Sequence, residues 1–73
     1  MNNAELKAAL QSRQPVVLDS KKYSKLRYER VYAIRYMLDK SDNVVIQAEL
    51  LDYNGGSITI ANPSEVFLDD GDL

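Results

Sequence analysis

Between Lys21 and Tyr36 the chain interleaves Lys21, Lys22, Lys25, Arg27, Arg30 and Arg35 with Tyr23, Tyr28, Tyr32 and Tyr36. Cations among aromatic rings are what a single-stranded nucleic-acid surface uses, the charges tracking phosphates while the rings stack on bases. Glu29 is the one anion of this stretch, so residues 21–36 carry a local +5, whereas residues 39–73 set one lysine against eight carboxylates, a local −7. The competing reading is structural: tyrosines of a strand half-bury their rings, and the arginines are solvated or paired with the acidic half of the same chain. A net charge of −2 and a pI near 4.9 favour it, because long-range attraction for a polyanion is then weak. Basic and acidic surfaces on one small domain equally suit self-association or docking onto a charged protein.

Other chemistries find little to work with. The chain has no cysteine and no histidine, which removes disulfides, thiolate catalysis, the commonest general base and the commonest transition-metal ligands. Glu49 and Asp52 stand three apart at a strand end and point to opposite sides, so they make no carboxylate pair. Asp69, Asp70 and Asp72 lack the further ligands and closing glutamate of a calcium loop. Gly55-Gly56 lacks the lysine and the helix of a phosphate loop, and a hairpin turn explains it. We therefore expect no enzyme, no cofactor, no metal site and no catalytic residue. The start Met1-Asn2-Asn3-Ala4-Glu5 is not that of a signal peptide, and no apolar run approaches a membrane span, which points to a cytoplasmic setting.

The elements that would position these side chains follow from periodicity. Leu6, Ala9 and Leu10 share one face of a helix over residues 2–13, with Asn2 or Asn3 as its cap; an Asn2 cap puts Glu5 at the third helical position. Pro15 stops it. Val16, Val17 and Leu18 form a first strand closed by Asp19-Ser20, and Lys21 to Tyr23 could begin a return strand. Tyr23 to Leu38 carries two periodicities. As a strand it puts Tyr28, Tyr32, Ile34, Tyr36 and Leu38 on one face with Arg30 intruding; as a helix it aligns Leu26, Arg30 or Val31, Ile34 and Leu38. The tyrosines, valine and isoleucine favour the strand. Val44, Ile46, Ala48 and Leu50 should face the core from the next strand, and Asn54-Gly55 should turn it into a hairpin whose Ile58 and Ile60 also point inward. Asn62 and Pro63 open a single helical turn before a last short strand, Val66 to Leu68, and an acidic, frayed tail over 69–73.

With 73 residues the chain makes one domain, 1–73, with a small core. One helix followed by about five short strands suits a mainly β fold with an N-terminal helix, a small SH3-like barrel over 15–68, because closure removes exposed sheet edges. The alternative is α+β, a three-stranded antiparallel sheet with two helices, if Tyr23 to Leu38 is helical.

Pro15-Val16-Val17, Tyr32-Ala33-Ile34, Ala48-Glu49-Leu50-Leu51-Asp52, Gly56-Ser57-Ile58-Thr59-Ile60 and Pro63-Ser64-Glu65-Val66, in this order, resemble the blocks of small uncharacterised SH3-like proteins carried by Gram-positive bacteria and their prophages. This chain departs from them in extra residues around Ser24 to Glu29. The resemblance implies a fold and a genomic setting but no site residue, since such proteins have no established activity. The expected function is thus a non-catalytic binding or accessory module, acting on a protein partner or on a second copy. The alternative is a nucleic-acid-binding accessory protein using residues 21–36.

Overall fold

Helix α1 spans Asn3–Ser12 and starts on a reciprocal cap. The Asn2 side chain accepts from the Glu5 N–H at 2.8 Å, and the Glu5 carboxylate accepts from the Asn2 N–H at 2.9 Å, so two of the N–H groups that a helix start leaves open are satisfied. The helix ends where Arg13 enters the left-handed region at φ 59° and donates its N–H to the Ala9 carbonyl. Leu6 and Ala9 are buried, and Leu10 packs on the same core. These elements belong to a computed structural model that describes residues 1–21 and 25–71.

Six strands follow: β1 (Val16–Leu18), β2 (Leu26–Tyr28), β3 (Arg30–Leu38), β4 (Val44–Leu51), β5 (Ile58–Ala61) and, after a one-turn 3₁₀ helix at Pro63–Glu65, β6 (Val66–Leu68). They form two three-stranded antiparallel sheets, β2-β1-β6 and β3-β4-β5. The fold is therefore mainly β with one N-terminal helix, but the sheets do not close into the expected barrel. β5 and β6 flank the 3₁₀ turn, yet β5 pairs with β4 and β6 with β1, so each ends its own sheet. The α+β alternative is also not what forms: residues 26–38 are two strands broken at Glu29, whose N–H bonds the Leu51 carbonyl at 2.8 Å. The start of that stretch, Tyr23 and Ser24, and with Lys22 most of the proposed return strand Lys21 to Tyr23, lie outside the described residues; pairing with β1 begins at Leu26.

The core gathers Leu6 and Ala9 from the helix, Val16, Leu18, Tyr28 and Val66 from one sheet, and Val31, Ala48, Leu50 and Ala61 from the other. Strand alternation reaches it by an indirect route. Tyr28 points inward, the break at Glu29 reverses the alternation so that Val31 is the next inward residue, and a bulge between Val31 and Ala33 reverses it again. Ile34, Tyr36 and Leu38 then lie opposite Ala48, Ile46 and Val44, on the inward face where strand spacing put them. Tyr32, expected on that face, is the bulge residue and is half-exposed, with Val31 buried in its place.

The β4–β5 hairpin corrects a second expectation. Ala48 and Leu50 are fully buried, but Ile58 and Ile60 are 40% and 51% exposed, and Thr59 and Ala61 face inward instead. The reason is register: Leu51 lies opposite Ile58, Leu50 opposite Thr59 and Ala48 opposite Ala61, and residues directly opposite share a face. The turn itself is wider than an Asn-Gly hairpin. The Gly55 N–H bonds the Asp52 carbonyl at 2.9 Å, Gly55 takes φ 71°, and the Asp52 N–H closes the loop on the Ser57 carbonyl at 3.0 Å. At the other end of β4, Val44 is 66% exposed, since the β3–β4 hairpin runs past the core.

The 3₁₀ turn forms as its sequence suggests, with the Asn62 side chain accepting from the Ser64 N–H and Pro63 in the first turn. Past β6 the chain stays tied down rather than frayed over the described residues: the Asp69 N–H bonds the Pro15 carbonyl at 3.0 Å and the Gly71 N–H bonds the Asp69 carboxylate at 2.9 Å. Asp72 and Leu73 lie outside the described residues. Among the described residues no helix is long and apolar enough to cross a membrane.

Candidate interaction surface

The basic, tyrosine-rich segment is distributed over the molecule rather than gathered on one face. Arg27 sits on β2 opposite Val17, on the side of that sheet away from the core, and its Nε lies 3.4 Å from the Asp69 carboxylate. Tyr28, the next residue, points the other way and is buried. Arg35 lies on the outer face of β3, opposite Gln47, and its Nε is 3.4 Å from Glu49. Arg30 sets its guanidinium 5.7 Å from the centre of the Tyr32 ring, a cation–π distance. Tyr36 reaches toward the helix, and its hydroxyl donates to the Asn3 side-chain carbonyl at 2.6 Å. Lys21 and Lys25 are exposed, while Lys22 and Tyr23 lie outside the described residues.

Among the described residues of the segment, Arg30 and Tyr32 are thus the pair that the structure brings together, on the outer side of β3. Arg27 and Arg35 are each held by a carboxylate from the acidic half, and two tyrosines are engaged in the core or with the helix. Charge that is neutralised within the molecule offers less to a phosphate backbone.

Apolar side chains are exposed as well. On the outer face of the β3-β4-β5 sheet, Ile58 stands exposed beside half-buried Leu51 and Ile60 beside Glu49, the partner of Arg35, with Tyr32 near the same end. A second apolar region is a groove of about 430 Å³ between α1 and β6, lined on one side by Glu5, Ala8, Ala9 and Ser12 and on the other by Val66, Phe67 and Leu68. Met1 and Gln14 line it as well, and two of its polar side chains are engaged: the Glu5 carboxylate in the helix cap, the Ser12 hydroxyl donating to the Ala9 carbonyl at 3.3 Å. Neither region pairs a nucleophile with a base. Among the described residues no group of three acidic side chains is placed to hold a metal ion.

Asp39, at the β3–β4 turn, accepts the N–H of Asn43 at 3.0 Å and that of Ser41 at 2.8 Å. These bonds favour its charged form and hold its pKa below the usual carboxylate value. The group is fully exposed and shapes the turn rather than a site.

Sequence reasoning missed the exposure of Ile58, Ile60, Phe67 and Leu68. For the isoleucines a signal existed: counting outward from a turn centred on Asn54-Gly55 already sets Leu51 opposite Ile58, and Leu51 belongs to the outward set of β4. For Phe67 and Leu68 three residues are too few for alternation to decide a face. No protein-family model, curated protein or solved structure matches the chain.

Proposed function

We propose that this chain is a non-catalytic interaction module, working in the cytoplasm through protein–protein contacts or self-association and built as a partly open SH3-like pair of sheets. A 3₁₀ turn between the last two strands and the passage of β2 directly into β3, from one sheet to the other, support the SH3-like reading. So does the resemblance to small proteins of Gram-positive bacteria and their prophages. The observation that carries the functional reading is the outer face of the β3-β4-β5 sheet, where Ile58 and Ile60 are exposed side by side on a strand that ends the sheet. Exposed apolar side chains grouped along a sheet edge suit a protein-binding surface.

The nucleic-acid reading keeps Arg30 stacked on Tyr32 as its best feature. Against it stand the ion pairs of Arg27 and Arg35 and the burial of Tyr28. A titration of a labelled mixed-sequence single-stranded oligonucleotide separates the two. We expect no binding at micromolar protein and physiological ionic strength. Binding that weakens steeply with salt, and weakens further in Arg30→Ala, would replace the module reading by the nucleic-acid one.

A further inference from the structure

We propose that β5 is a self-pairing edge, through which two copies of this chain join their β3-β4-β5 sheets into one continuous antiparallel sheet. The inference rests on the module reading and names its partner as a second copy.

The backbone decides which groups are on offer. The Asp52 and Ser57 main chains are hydrogen-bonded across the β4–β5 ladder, and bonded pairs recur every second residue, so Thr59 and Ala61 direct their N–H and C=O groups at β4. Ile58 and Ile60 therefore direct theirs at the open edge. Their side chains project from the outer face, where both are exposed.

The sequence Ile58-Thr59-Ile60 reads the same in both directions, and that gives the edge a register with itself. A two-fold axis at Thr59 sets Ile58 of one copy opposite Ile60 of the other, each pair exchanging both of its main-chain hydrogen bonds, with Thr59 opposite Thr59 between them. All the backbone groups offered at Ile58 and Ile60 are then used. The isoleucines form apolar cross-strand pairs on the outer face, and the threonines meet on the inner one. Shifting the axis to Ile58 or Ile60 would oppose one isoleucine to Gly56 or Asn62 instead.

Charge selects this edge and a copy of itself as the occupant. A two-fold axis opposes the residue on it to its own copy and every other residue to a different one, so a strand with a charge at its centre, or with charges of one sign only, tends to repel its copy. β2 carries Arg27 between Lys25 and Glu29, and β3 carries Arg30 and Arg35. β6 is uncharged but lies between Glu65 and Asp69, has its Val66 N–H bonded back to the Pro63 carbonyl, and borders the helix groove. β5 has no charge, no proline and no bulge, three of the devices by which sheet edges are protected from pairing. A four-residue strand gives a small interface, so the association belongs to the weak, reversible class.

The test is sedimentation equilibrium of the full chain across the micromolar range, together with amide hydrogen exchange at low and high protein concentration. We expect a monomer–dimer equilibrium, with the Ile58 and Ile60 amides gaining protection as concentration rises while the amide of Thr59 changes little. Ile60→Lys, at an exposed position, should weaken the dimer at least tenfold while leaving the far-ultraviolet circular dichroism unchanged. Thr59→Val, which keeps the strand's shape, should remain dimeric. A chain that stays monomeric throughout the range overturns the inference, including the case in which an added apolar strand peptide protects the same amides. A dimer that persists in Ile60→Lys, with unprotected Ile58 and Ile60 amides, overturns the edge pairing but leaves the module reading standing. That reading is decided separately by the oligonucleotide titration.

Discussion

The β2-β1-β6 sheet is built from strands of three residues, and all three residues of its central strand are buried; the β3-β4-β5 sheet has strands of nine, eight and four residues that outrun the core. The difference teaches where an 8.3 kDa domain keeps its stability and where it keeps its surface. Val16, Leu18 and Val66 lie wholly inside the short sheet's contact with the helix and with Leu50 and Val31. The longer sheet contributes Val31, Ala48 and Leu50 at its centre, then runs on to Leu38 and Val44 at one end and to Ile58 and Ile60 along one edge, all exposed. Length beyond the core cannot be buried by a chain this small, so apolar residues there are available for contact with something else.

The sharpest way to break this contrast is to truncate one residue of each kind. Leu50→Ala removes a fully buried side chain and should cost about 2–5 kcal/mol, a large part of what such a domain possesses. Ile58→Ala, one strand away and 40% exposed, should cost no more than about 1 kcal/mol. Urea denaturation of both variants at a concentration low enough to keep the chain monomeric reads the difference directly. Equal losses would mean that the outer face is covered within the monomer.

A smaller effect sharpens the helix side of the comparison. Asn2→Ala deletes one half of the reciprocal cap and should lower stability by about 1 kcal/mol, visible as a lower denaturation midpoint at an unchanged slope. Because α1 packs chiefly against β3, the loss should loosen the longer sheet first, and hydrogen exchange of the β3 amides should rise before that of β1.

The smallest effect sits at the exposed hairpin tip. The pKa of Asp39 is depressed in the folded chain, so the stability it contributes is fully present above its unfolded pKa and is lost as pH falls through the folded value. Asp39→Asn should therefore flatten the acid limb of the stability curve slightly and leave stability near neutral pH little changed in its pH dependence. A variant whose acid limb matches the parent's would show that the turn forms without its carboxylate.

What could be read from the sequence was local. Asn2 and Glu5, Asn62 and Pro63, and Gly55 each act within a few residues of themselves, and each does in the structure what its chemistry suggests. The N-terminal helix, the strands over 16–18, 44–51 and 66–68, and the mainly β class followed from such signals. Contacts between distant segments were not legible. The ion pairs of Arg27 with Asp69 and of Arg35 with Glu49 depend on which strands become neighbours, and no spacing along the chain encodes that. The open arrangement of the sheets has the same origin, since it turns on β5 and β6 pairing with different strands. The inward assignment of Ile58 and Ile60 failed for another reason: alternation was applied to each strand by itself, without carrying the face across the turn from Leu51.

The break at Glu29 and the bulge at Tyr32 behave like two compensating frameshifts in a message read two residues at a time. Either one alone would exchange the inward and outward sets of everything after it, sending Arg35 toward the helix, Ile34 into water and the Tyr36 hydroxyl away from Asn3. Together they restore the phase, and the scrambled portion is confined to the few residues between them, where Val31 takes the core position and Tyr32 is released to lie under Arg30. Straightening the strand with Tyr32 retained would therefore garble the whole remainder of β3, whereas deleting Tyr32 itself removes the extra residue and leaves Ala33 and all that follows opposite their present partners.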